Sequence, residues 1–284
     1  MPQTFRNNIA LTATIVLSAL LFWMVASASH SVRGVIGPTI AMSASPTSTA
    51  LWTILALALS MVLALGLARV VNTVVAMFAL GCGVGMLAMQ SGSIQDFTAA
   101  AAGTGSNSLL PLAVETAIWG VVTLAASIFL FRLGGPLPDA VPIDEPRRDG
   151  MFGTKAFLSL ATGPLVLLGV WAIAVNPSKG QILGGVVIGG LLVGLTGRLF
   201  APITPPALLY AAPMLFGAVG HLVAHIMLKG APLRTAFVDD SLLRIAYPMP
   251  IDYVAGTLAG VSLGIGMARS FMKQETPDGV PQRS

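Results

Sequence analysis

Eight long apolar blocks alternate with short polar intervals along the chain, at about residues 9–28, 51–68, 70–89, 109–131, 156–175, 181–200, 205–228 and 253–272. Each approaches the roughly 20 residues that carry an α-helix across about 30 Å of hydrocarbon, so each reads as a transmembrane helix. The run from Leu51 to Met89, broken only by Arg69 and Asn72, is too long for one crossing and is expected to fold as a hairpin turning near Arg69. At the N-terminus, Arg6 and the Ala26-Ser27-Ala28 triplet resemble a secretory signal, but the apolar run between them exceeds a usual signal core. It is read as an uncleaved first helix. The expected fold is all-α, a polytopic integral membrane bundle of about eight transmembrane helices.

An even number of crossings returns the chain to its starting side, and cytoplasmic loops carry the excess of Lys and Arg. With the N-terminus inside, ten basic residues fall on the inner face: Arg6, Arg69, Arg132, Arg147, Arg148, Lys155, Arg198, Arg269, Lys273 and Arg283. Five fall outside: Arg33, Lys179, Lys229, Arg234 and Arg244. Both termini are therefore expected in the cytoplasm, in a bacterial-type inner membrane.

The longest inner polar interval contains Pro136, Pro138, Pro142 and Pro146 among charged residues, a composition that favours an extended linker. It divides the chain into a four-helix block at 1–133, a linker at 134–155 and a second four-helix block at 156–284. The second block includes an outer loop at 229–252 and a short cytoplasmic tail. Within that loop, Asp239 to Tyr247 is expected to form a short interfacial helix with its acids in the first turn, stopped by Pro248 and Pro250. Asp252 is a possible cap for the last span. The Ser-, Gly- and Ala-rich stretch 90–108 reads as caps or loop.

Composition removes the soluble alternatives. Of 284 residues, 9% are charged and 55% hydrophobic, and the mean hydropathy is +0.85. So few charges do not cover a water-exposed surface. The pI near 9.6 rests on a net charge of +4 from scattered basic residues, which fits membrane topology and argues against nucleic acid. One cysteine, Cys82, excludes an intrachain disulfide.

Lipid provides little hydrophobic drive for helix association, so small residues mark where helices meet. Gly256, Gly260 and Gly264 form one stripe in the last span, and the sixth span carries Gly185 and Gly189 among further glycines. These surfaces suit either intramolecular packing or, together with the outer loop, membrane-protein partners. Pro164, after Gly163 in the fifth span, and Pro213 in the seventh each lack a backbone N–H and are expected to kink their helices. Carbonyls freed at such kinks can line a pathway.

Ionisable side chains at membrane depth are rare and costly, which makes them the first places to look for function. Glu115 is the one acid expected inside a span. His221 and His225, four residues apart, lie on one helix face in the seventh span. They can handle protons or a cation, or hold a metal if further ligands come from elsewhere. No phosphate-binding loop, nucleophile elbow or cysteine cluster is present, so no catalytic residue or cofactor is assigned. Two functions follow. One is a transporter or ion-translocating protein for protons or a small cation or solute, with Glu115, His221 and His225 along the path. The other is a non-catalytic scaffold or accessory subunit of a larger membrane complex.

Overall fold

The computed structural model describes residues 3–30, 37–103, 105–135, 153–202 and 204–272. The proline-rich linker lies almost wholly outside the described residues, as does the C-terminal tail from residue 273. The helices are α1 (Gln3–Ala28), α2 (Pro46–Val70), α3 (Thr73–Gln90), α4 (Ile94–Gly103), α5 (Leu110–Leu133), α6 (Thr154–Leu160), α7 (Leu165–Ile173), α8 (Lys179–Phe200), α9 (Ala207–Met227), α10 (Leu233–Val238) and α11 (Pro250–Ala268). Among the described residues, eight segments are long and apolar enough to cross a membrane: α1, α2, α3, α5, α6 with α7, α8, α9 and α11.

Local chemistry sets the ends of these helices. α2 closes where the Val71 N–H reaches the Leu67 carbonyl at 2.8 Å, and α3 begins where the Asn72 side chain accepts from the Val75 N–H at 2.9 Å. The hairpin therefore turns at Val71 and Asn72, and Arg69 belongs to the last turn of α2. α2, α5 and α11 each carry a proline in the first turn, where its missing N–H costs nothing. In the fifth span Gly163 and Pro164 separate α6 from α7 by a turn in which Leu165 N–H bonds Thr162 O. Pro213 lies within an uninterrupted α9.

α11 is the axis of the bundle, packed between α3 and α8. Its glycine stripe makes the close approach. A Cβ on Gly260 would fall onto the Val187 carbonyl and one on Gly264 onto the Leu191 carbonyl, so the two backbones touch with no side chain between them. Gly185 and Gly189 of α8 turn to the other side, where they meet α7 backbone at Val170 and Val166. α5 lies along α9, and α1 leans on α2 and α3. Facing outward are Leu51, Ile54 and Val62 of α2, Val114, Ile118 and Val121 of α5, and Leu168 and Trp171 of α7, all exposed. An apolar belt of this kind is solvated by lipid. The protein is an integral membrane helical bundle.

The intervals after α1, α3, α7 and α9 gather at one end and form a cap. The stretch read as loop at 90–108 holds α4, whose Ile94, Phe97 and Ala101 are buried and which packs against α10. The short helix expected from Asp239 lies earlier instead, at Leu233–Val238. Pro232 supplies a preset φ at its start, and Leu233 and Ala236 give it a buried face. Asp239 ends it and Asp240 adopts a left-handed φ of 53°. Only Arg244–Ala246 forms a further helical turn, of the 3-10 type.

Candidate functional site

Glu115, Lys179, His221 and Asp252 lie at the capped end, where Glu115 and His221 each tie a loop to a helix and Lys179 and Asp252 tie α8 to α11. Pro111 and the start of α5 place Glu115 in the second turn, about 7–8 Å below the helix start at 1.5 Å per residue. There its Oε1 accepts the Ile40 N–H at 3.1 Å. Ile40 belongs to residues 37–45, which fold over the bundle and are held by Ala44 N–H to His30 O at 2.7 Å and by Gly92 N–H to Gly37 O at 3.3 Å. Among the described residues no Lys, Arg or His pairs with Glu115.

Two cavities meet at this carboxylate. On one side lies a small pocket of about 30 Å³ with a mixed lining, the hydroxyl residues Ser29, Thr39, Thr49, Thr53 and Ser91 with Glu115, and the apolar Pro38, Ile40, Leu87, Trp119 and Ile251. That volume accommodates a water or two. On the other side a groove of about 860 Å³ opens between α2 and α5. Ile40, Thr53, Glu115 and Trp119 border both cavities, so Glu115 stands where a bilayer-facing groove meets this small, partly hydroxyl-lined pocket.

Ser91 continues the polar layer. Its hydroxyl accepts from Lys179 Nζ at 3.1 Å, and the same ammonium donates to both oxygens of Asp252 at 2.9 and 3.0 Å. Asp252 is fully buried and also accepts the Met249 N–H at 2.8 Å. Glu115 is thus not the one acid within a span. α11 starts at Pro250, earlier than the apolar pattern suggests, because proline presets the first turn and the third-position carboxylate caps the preceding amide. Arg198 is buried as well, with Nη1 donating to Thr204 O at 2.8 Å at the opposite end.

His221 and His225 part company. His221 is sealed, its Nε2–H donating to Pro248 O at 2.9 Å and its Nδ1 lying 3.3 Å from the Thr116 hydroxyl. The Tyr253 ring stands edge-on to it with centroids 5.8 Å apart, over Gly217, which leaves room for that ring. Both ring nitrogens are engaged, so this imidazole staples α9 to the cap through Pro248. His225 is half-buried one turn away beside exposed Ile226 and Met227, and among the described residues its Nδ1 meets no partner. Four residues advance a helix by a little more than one turn, a rotation of about 40°. That rotation carries the face from the bundle interior toward its edge. No group of three or more His, Cys, Asp or Glu is placed to hold a metal among the described residues.

Tyr253 Oη, from the first turn of α11, donates to Ile245 O at 3.2 Å, and in the interval between α9 and α11 Tyr247 Oη donates to Asp240 Oδ1 at 3.3 Å. Burial, with the Asp240 carboxylate beside it, pushes the Tyr247 hydroxyl above the usual phenol range. The Tyr253 bond holds that interval against α11, and the Tyr247 bond closes the interval on itself.

Lys179 and Asp252 went unrecognised in the sequence as a pair. The available signal was two opposite charges, each at the first turn of a span that starts from the same side. The fold is that of a multi-span helical membrane protein. No family model, curated protein or solved structure matches the chain.

Proposed function

We propose that the protein is a transporter or ion-translocating protein for protons or a small cationic solute, with Glu115 as its working residue. The observation that carries this is the position of an acidic side chain, without a cationic partner among the described residues, between a lateral groove and a small pocket partly lined by hydroxyls. A cation arriving from the groove would meet a carboxylate. Beyond it lie the Thr53 and Ser91 hydroxyls and then the Lys179–Asp252 pair. Such carboxylates in a low-dielectric setting are the usual carriers of protons and cations across membranes. His221, with both nitrogens occupied, and His225, on the outer edge of α9, belong to the structure of the cap and not to this path. On the ten-to-five distribution of Lys and Arg, we place both termini in the cytoplasm of a bacterial-type inner membrane and the cap outside. The alternative, a scaffold or accessory subunit, draws less support, because α8 already occupies the glycine stripe of α11.

Vesicle flux tests the proposal. Purified protein in liposomes carrying a pH-sensitive dye should dissipate an imposed proton or monovalent-cation gradient. Glu115→Gln should reduce the rate at least about tenfold, the loss of one charged partner being worth roughly 1.5–3 kcal/mol. His225→Ala should retain it. Equal rates in wild type and Glu115→Gln would remove Glu115 from the path.

A further inference from the structure

The groove that reaches Glu115 has a chemistry of its own, and it deepens the proposal by naming a class of ligand. Its wall below the carboxylate is hydrocarbon, with Ile54 and Leu57 from α2 and Ile118 and Val122 from α5. Both helices start at the capped end, so these residues lie progressively deeper in the bilayer. Of its polar side chains, Thr47 and Ser108 lie at the capped mouth and Glu115 and Thr53 a turn or two deeper, and Trp119 follows Glu115 by four residues, which places the two side chains on one helix face. A carboxylate and an indole bordering one apolar groove are complementary to a cation carried on a hydrocarbon chain. The carboxylate supplies a charge-assisted hydrogen bond and the indole a cation–π partner.

We infer that the groove binds a single-chain lipophilic amine drawn from the bilayer, its ammonium at Glu115 and its chain descending between α2 and α5. The inference rests on the reading of Glu115 as the solute site. The order of chemistry along the groove selects this class. The cation must sit at the head of the chain, directly above the apolar wall, because the polar side chains lie toward the capped end and the wall beyond them, Ile54, Leu57, Ile118 and Val122, carries no further polar side chain. A fatty alcohol satisfies the wall but not the charge. A fatty acid places like charge against Glu115.

Tryptophan quenching in vesicles reads this directly. Trp119 is nearly buried, 6% exposed, and lines the groove, whereas Trp23, Trp52 and Trp171 are more than half exposed to the surroundings. In full-length protein carrying Trp23→Phe, Trp52→Phe and Trp171→Phe, the remaining fluorescence comes from Trp119. The probes are a bromoalkyl amine, alcohol and carboxylate of equal chain length. The amine should quench saturably, with a half-saturating concentration about tenfold below that of the alcohol, as one charge-assisted contact provides. Glu115→Gln should bring amine and alcohol within about twofold of one another. Ala50→Phe, which narrows the groove without touching the Ile40–Glu115 contact, should abolish the saturable component for the amine. Equal quenching by all three probes, or an amine preference that survives Glu115→Gln or Ala50→Phe, overturns the inference. Proton flux in the same vesicles separates the two levels. Glu115-dependent flux without amine preference removes the amine alone, whereas amine preference without flux removes transport and leaves the ligand.

Discussion

Asp252→Ala is expected to be the most damaging single substitution at the capped end. It leaves the Lys179 ammonium without its carboxylate and the Met249 N–H without its cap in one step. Removing one partner of a buried ion pair costs about 3–5 kcal/mol, because the remaining charge keeps its desolvation penalty without its attraction. Lys179 is 15% exposed, so some rehydration places the expected loss at the lower end of that range. Unfolding in mixed detergent micelles, followed by loss of helicity, measures it. Asp252→Asn should cost less, since its amide oxygen still accepts from Met249. The double variant Asp252→Leu with Lys179→Met should recover much of the loss by removing both charges. An Asp252→Ala protein within about 1 kcal/mol of wild type would show that the pair does not anchor the start of α11.

Alanine substitutions at two glycines of α11 should have opposite signs. At Gly260 the new methyl falls onto the Val187 carbonyl and crowds the Leu191 amide, both backbone atoms of α8 with no rotamer to adjust. The helices must separate, and the cost is about 1–3 kcal/mol or more, as for overpacking a tight core. At Gly266, six residues further, nothing lies within 4 Å of the new atom and the position is exposed. There alanine only gains helix propensity, about 0.8–1 kcal/mol over glycine. Detergent unfolding of the two variants side by side is the measurement. Equal effects at both sites would mean that the α8–α11 contact is not a backbone-to-backbone seam.

These effects also mark what the sequence made legible. Eight crossings were readable because each span is a property of its own residues, as apolar length fixes membrane residence whatever the neighbours do. The glycine stripe was readable as a stripe, but its partner was not, since Gly256, Gly260 and Gly264 carry no label for α8. Short elements of the cap were hard to place. α4 and α10 have ten and six residues, too few for a clear helical period. The site itself was half legible. Glu115 stands out as an acid inside an apolar run, yet its donor, Ile40, is a backbone amide with no sequence signature. Asp252 was visible only as a cap, because its ion pair spans 73 residues and forms only when α8 and α11 start side by side. The histidine spacing was readable, whereas the small angular offset that seals one ring and leaves the other at the edge depends on where α5 and the cap lie.

In the proposed function, Glu115 takes up the proton or cation. Infrared difference spectroscopy on protein in lipid vesicles tests it most directly, by comparing carboxyl bands before and after a pH step or the addition of a monovalent cation. A carboxyl band that changes in wild type and is missing in Glu115→Gln, with the amide bands of the two proteins superimposed, is the predicted result. Coincident difference spectra for the two proteins across the carboxyl region would contradict it.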